Sequence, residues 1–582
     1  MTTTRLLEEF PPVSTEAWEE VIAKDLRGAD YAKKLIWQTP EGIAVRPYYR
    51  AEDAQPLDFA AAAPGEFPFV RGARAEGGWR IREEIPAAAP EAANRAAQSA
   101  VTGGAEEIAF RSAAIANASD LAMLLANLRE IPVHFLDATE ETLRLLATRL
   151  EERPDAARLS ADWNPLTNID FAASLAATAP AALIPFTLDA AALEESGATA
   201  VEELAFALAA GIDLVAALEE HGLKPEQTAA RVEFSFAAGS NYFFEMAKLR
   251  AFRLLWARAL ESFGAPRPAC VARIHARTSR WNKTVYDPHV NVLRATTEAM
   301  AAILGGADSV SVAPFDECYK TPDEASRRLA RNTQILLKEE ALLGRVADAG
   351  GGSYALEAVT DSLARAAWAR MQRIEALGGY RKALASGEIA NALARSLAAR
   401  EKAVVTRRRV LTGANQFANP KERALDRIDV SRTSKGKRGA EIYEQLRLRT
   451  ERHAARTGKT PLVLLAEFGD AKMRGARSNF AANFFACAGF ELVSGRFKNA
   501  QEMAAREADL IVLCSADAEY AAMAPAAIES LKAAGRATPV IVAGNPENAE
   551  ALKAAGVADF IHIRSNPIEV LGRWQQRLGI ED

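Results

Sequence analysis

Val232-Glu233-Phe234-Ser235-Phe236 alternates bulky apolar side chains with smaller or charged ones, and residues 241–263 then follow with helical periodicity. A period of two places alternate side chains on opposite faces of a strand, whereas a period near 3.6 marks a helix. The same couplet recurs downstream. Residues 271–275 read as a strand and 290–304 as a helix; 308–312 read as a strand and 322–337 as a helix. Strands separated by helices pair in parallel beneath a helical layer. Repetition of the unit across residues 66–415 predicts a closed (β/α)8 barrel of TIM type, whose site would lie at the carboxyl ends of its strands.

The flanks read differently. Residues 1–65 combine a short amphipathic helix at 15–26 with extended chain punctuated by Thr39-Pro40-Glu41-Gly42, which suits an arm with little core of its own. Residues 416–457 are rich in lysine, arginine and polar residues, including Ser434-Lys435-Gly436-Lys437, and read as a linker with some helix rather than a nucleic-acid patch. Over residues 458–582 the pattern begins afresh, with strands at 462–466, 490–494, 510–514, 540–543 and 560–563. Helices between them predict a second α/β unit, a doubly wound domain of flavodoxin-like type.

Bulk properties narrow the function classes. A hydrophobic fraction of 49% with 25% charged residues suits a globular chain, and a formal net charge of −5 with interspersed signs argues against nucleic acid or membrane partners. The opening Met-Thr-Thr-Thr-Arg-Leu-Leu has no apolar core behind a basic start, and no apolar run approaches a membrane span, so a cytoplasmic location is expected. Cys270, Cys318, Cys487 and Cys514 are far apart and the six histidines do not pair at ligand spacing, so neither a disulfide framework nor a metal site is expected.

Several phrases resemble the methylmalonyl-CoA mutase family. They are Thr39-Pro40-Glu41-Gly42-Ile43 with Arg46-Pro47-Tyr48-Tyr49, Phe69-Val70-Arg71-Gly72, and the run Phe236-Ala237-Ala238-Gly239-Ser240-Asn241-Tyr242-Phe243-Phe244-Glu245-Met246-Ala247-Lys248-Leu249-Arg250. Asp287-Pro288 with Asn291 and Arg294, Phe315-Asp316-Glu317, Arg331-Asn332-Thr333-Gln334 and Gly351-Gly352-Ser353-Tyr354 follow in the family's order. The resemblance implies a substrate-threading barrel followed by a cobalamin-type domain.

The positions that carry the family's chemistry are altered. Its cobalt-ligating histidine lies in a D-x-H-x-x-G motif; here the text is Asp470-Ala471-Lys472-Met473-Arg474-Gly475, and a lysine ammonium has no lone pair for a metal. The serine-x-leucine segment lining the nucleotide tail becomes Ser515-Ala516-Asp517, the paired glycines become Ala543-Gly544, and a later glycine-rich turn becomes Ile563-Arg564-Ser565-Asn566. Counting back from Glu195-Ser196-Gly197-Ala198 puts Ala191 and Ala192 at the family's tyrosine and histidine positions. A methyl group neither donates nor accepts a proton. After Arg71-Gly72 the barrel strand reads Trp79-Arg80-Ile81-Arg82-Glu83-Glu84, with two carboxylates replacing a polar pair that includes a tyrosine. Glu83 and Glu84 are adjacent on a strand and face opposite ways, so they cannot form an acid/base pair. His275 is the remaining candidate acid, a hydrogen-bonded core histidine being the plainer account.

No catalytic, cofactor-binding or metal-ligating residue is therefore assigned. The resemblance implies the non-catalytic small subunit of a heterodimeric adenosylcobalamin-dependent mutase, with cofactor and acyl-CoA on a homologous catalytic large subunit. Two alternatives stay open. An autonomous acyl-CoA enzyme on the same scaffold would need a convergent polar cluster at the barrel mouth, and none is visible in the sequence. A mutase chaperone would need a P-loop, and no GxxxxGK[ST] occurs.

Overall fold

Val232–Ala238 is a strand buried along its whole length, and Tyr242–Ser262 is the helix that covers it. These elements belong to a computed structural model that describes residues 10–54, 57–86, 89–429 and 437–581. The tract Ser434-Lys435-Gly436 and the first nine residues of the arm lie outside the described residues.

In chain order the strands begin with a short antiparallel pair, β1 (Trp37–Gln38) and β2 (Ala44–Val45). The barrel strands are β3 (Arg80–Ile85), β4 (Glu107–Arg111), β5 (Val133–Leu136), β6 (Leu159–Ala161), β7 (Leu183–Ile184), β8 (Phe186–Asp189), β9 (Val232–Ala238), β10 (Ile274–Thr278) and β11 (Ser309–Ser311). All pair in parallel, in the order β7-β6-β5-β4-β3-β11-β10-β9-β8. Only Pro185 separates β7, which pairs with β6, from β8, which pairs with β9. Proline has no backbone N–H to give to a ladder, so one strand is written as two and the barrel closes through it.

The second sheet contains β12 (Leu462–Glu467), β13 (Glu491–Arg496), β14 (Leu510–Cys514), β15 (Val540–Ala543) and β16 (Asp559–Ile561), in the order β13-β12-β14-β15-β16. That is the flavodoxin-like order, with its topological switch between β12 and β14. Val463, Leu465 and Val512 pack on one face with Phe484, Phe485 and Trp574; Leu464, Ile511 and Leu513 pack on the other with Tyr520 and Ile528. Both faces are covered, which explains the nearly unbroken apolar strands.

Some elements differ from their expected spans. β10 starts at Ile274, where it pairs with Phe234, because a 3-10 turn at Arg267–Ala269 delivers the chain late to the sheet. The helix expected from residue 322 runs Glu324–Ile335, since the Asp323 side chain caps it by accepting from Ser326 N; a π turn, Leu336–Glu340, follows. Between the two sheets, the helix Glu441–Thr457 buries Tyr443, Leu446 and Leu448. It is tied to the last helix, Pro567–Arg577, by Gln575 Nε2, which donates to Leu446 O at 2.6 Å and to Thr450 Oγ1 at 2.9 Å.

Candidate functional site

Closure brings interior residues of distant strands together. Arg82 on β3 donates through Nε to Glu107 Oε1 of β4 at 2.9 Å and through Nη2 to Glu233 Oε1 of β9 at 2.8 Å. Arg80 Nε donates to the other Glu107 oxygen at 2.7 Å. Beside them His134 Nδ1 lies 2.9 Å from Ser160 Oγ, and His275 Nδ1 lies 2.9 Å from Ser309 Oγ. Arg82, Glu107, Glu233 and both histidines are all buried. Burial would raise the Glu107 carboxyl, but Arg82 and Arg80 hold it below the usual range. Burial first, and Arg82 second, push His134 down to about 4 and His275 well below its ordinary value. Burial and the neighbouring guanidinium thus favour the neutral form of both imidazoles. The Arg82–Glu233 pair reaches across the barrel interior at this level, from β3 to β9.

Above the network is the mouth. Glu83 turns outward to Arg331 on Glu324–Ile335, with Arg327 at 3.7 Å. Glu84 and Glu83 both line a cavity of about 150 Å³, together with Arg277, Thr278, Ser311 and Arg331. Arg277 lies 3.2 Å from Glu195 and 3.5 Å from Asp189, and Arg280 lies 2.7 Å from Glu317. Asp162 follows β6; burial first, then repulsion from Asp189, raises its carboxyl to about 7. Ala191 is buried and Ala192 exposed in the first turn of the helix Ala190–Glu195, which Asp189 caps.

The polar cluster not visible in the sequence is therefore present. Asp162, Asp189, Glu84, Arg277 and Arg280 come from the ends of four strands and the loop after the last of them. Their common signal was available: each lies at, or just beyond, the carboxyl end of an expected barrel strand. Within the cluster, Arg277, Asp189 and Arg280 are engaged in ion pairs.

At the carboxyl ends of β12, β14 and β15, where a doubly wound domain takes its ligand, the chain fills its own cleft. Asp517 Oδ1 accepts from Arg477 Nη2 at 2.9 Å. The same oxygen lies 2.7 Å from where a Cβ on Gly544 would sit, with the Tyr520 ring at 3.1 Å. Ser515 Oγ donates to Phe468 O at 3.0 Å, and Glu519 packs over Gly469, which sits at φ +65°. Lys472 is exposed and lies in the first turn of Ala471–Ala486, not in a loop; Asp470 caps that helix by accepting from Met473 N at 2.8 Å.

The family model for methylmalonyl-CoA mutase matches residues 38–120 and 170–484. The chain belongs to the methylmalonyl-CoA mutase family. These enzymes are isomerases that depend on cobalamin. Among its relatives, the methylmalonyl-CoA mutase small subunit of Porphyromonas gingivalis is 38% identical, with 99% of each chain covered. The small subunit of Streptomyces virginiae is 37% identical over 94% of each chain, and that of Propionibacterium freudenreichii subsp. shermanii is 31% identical over 92% of this chain and 90% of its own. Lys472, expected from the resemblance at the cobalt-ligand position, is an exposed ammonium. The Asp517–Arg477 pair and Tyr520 stand beside Gly544, and Ala192, expected from the resemblance at the histidine position, is an exposed methyl group. Arg564 is exposed beside Ile563 at the rim.

Proposed function

We propose that this chain is the non-catalytic small subunit of an adenosylcobalamin-dependent methylmalonyl-CoA mutase, the enzyme that interconverts succinyl-CoA and (R)-methylmalonyl-CoA. It stabilises a homologous catalytic large subunit, which carries the cofactor and the acyl-CoA. One observation carries the reading: the cleft at the ends of β12, β14 and β15 is filled by Asp517, Arg477 and Tyr520, beside a solvated lysine at the ligand position. These residues do not fit cobalamin, and no step of the reaction is routed through this chain. The Arg82–Glu107–Glu233 network supports the same reading, because an acyl-CoA threaded along the barrel axis would meet buried ion pairs.

Assembly is assigned to the arm of residues 1–65. Its helix Thr15–Asp25 buries none of its residues, and Phe10, Val13, Trp18 and Val21 are exposed. Apolar side chains on a segment without its own core suit burial against a second chain. The barrel unit is assigned to residues 66–415. No helix among the described residues is long and apolar enough to cross a membrane, and a cytoplasmic location is proposed.

Sedimentation velocity with the large subunit tests the assignment. An obligate interface commonly buries more than about 2,000 Å². The full chain is expected to form a stable heterodimer. Deleting residues 1–40 should weaken assembly while leaving the barrel's helical content mostly intact. A full-length chain that stayed monomeric beside its partner would refute the subunit reading, and equal assembly by the truncated chain would remove the arm's role.

A further inference from the structure

A second cavity, of about 590 Å³, adjoins the mouth and shares Arg111, Arg280 and Glu317 with it. We propose that this cavity is a binding site for a compact, multiply charged oxyanion, entered from the side of Lys437–Arg438. Its volume lies within the range of small-molecule sites.

The charge balance carries the argument. Arg111, Arg280, Lys283, Lys437 and Arg438 line the cavity, against the carboxylates Glu195 and Glu317. Both carboxylates are already engaged, Glu317 by Arg280 at 2.7 Å and Glu195 by Arg277 at 3.2 Å. Four of the cations are anchored by acids outside the lining: Lys283 by Glu298, Arg438 by Glu444, Arg111 by Asp137, and Lys437 by Glu401 at 3.6 Å. Such anchoring orders a side chain without using all its donors, because a guanidinium has five N–H groups. Arg280 and Arg111 each hydrogen-bond a carboxylate through one terminal nitrogen. In the adjoining mouth, Arg277 Nε is buried without a hydrogen-bond acceptor among the described residues.

Shape limits the ligand. Arg82 lines the mouth cavity and is itself locked to Glu107 and Glu233 in the barrel interior. A ligand coming from above stops at this network, so the site suits a compact anion and excludes a long threaded one. Arginine forks match phosphate and carboxylate equally well, so the shared chemistry is the oxyanion.

Calorimetric titration of the full chain at low ionic strength, with inorganic pyrophosphate and separately with citrate, tests the proposal. At least one probe is expected to bind with Kd of about 1 mM or tighter; which one binds tells phosphate from carboxylate. The double variant R111A/K437A removes two side chains that are at least half exposed and should not compromise folding. It is expected to weaken binding by about tenfold or more, the scale of one lost charge-assisted contact. R564A, on the rim of the second domain, should leave binding unchanged. The proposal is overturned if neither probe binds at about 10 mM, if R111A/K437A binds as tightly as the natural chain, or if R564A weakens binding equally.

Discussion

Lys472 and Asp162 show how far a single residue can be interpreted. Lys472 was legible from the sequence, because D-x-H-x-x-G has fixed spacing and the aspartate and glycine on either side remain. A simple repair should nevertheless fail. Lys472→His supplies a lone pair, but the space beside Gly544 stays occupied by Asp517 Oδ1 and Tyr520. The visible spectrum of K472H titrated with adenosylcobalamin should therefore show no base-off bound form. Micromolar binding by that variant would show that the filled cleft does not block the cofactor. Asp162 was not legible, since its properties come from the burial that closure imposes and then from Asp189. Its carboxyl, at about 7 when folded and near 4 when unfolded, holds a proton between those values that the unfolded chain releases. Stability from this group therefore falls as pH rises from about 4 to 7. D162N should raise the unfolding free energy measured in urea at pH 8 by roughly 1–3 kcal/mol, and the gain should shrink toward pH 5. An equal gain at both pH values would contradict the raised carboxyl.

At the scale of elements, local periodicity was a good guide wherever a strand or helix stands alone. Val290–Leu304, Leu510–Cys514 and Val540–Ala543 have their expected bounds. Periodicity failed where tertiary pairing decides. It placed β10 three residues early, because strand onset depends on when the chain meets β9. The network of Arg82, Glu107 and Glu233 joins residues as far as 151 positions apart, which no local pattern encodes. Composition also understated the helix Glu441–Thr457. Its arginines and glutamates suggest a solvated connector, yet Tyr443, Arg447 and Glu451 are buried. We place the start of the second folding unit before this helix rather than at residue 458. A fragment of residues 437–582 should unfold cooperatively in urea. One of residues 458–582 loses the cover over Gln575 and the last helix, and should be destabilised by more than about 3 kcal/mol. Equal midpoints for the two fragments would return the helix to the linker.

For the molecule as a whole, the central claim is that a mutase fold persists without mutase chemistry. Of the phrases that carry the family pattern, the longest closes β9 and opens the covering helix Tyr242–Ser262, and others lie in the arm and in loops. The altered positions lie at strand ends, where a doubly wound domain or a barrel places its chemistry. Altered strand ends on a retained fold are what a chain kept for its surface would show. The most direct measurement is a paired titration and assay: this chain alone, the large subunit alone, and the two together, each followed for adenosylcobalamin binding by visible spectroscopy and for conversion of succinyl-CoA to methylmalonyl-CoA. The account predicts no cobalamin spectrum and no turnover from this chain alone, with one cobalamin per heterodimer in the active pair. Cobalamin binding or isomerisation by this chain in the absence of the large subunit would contradict it.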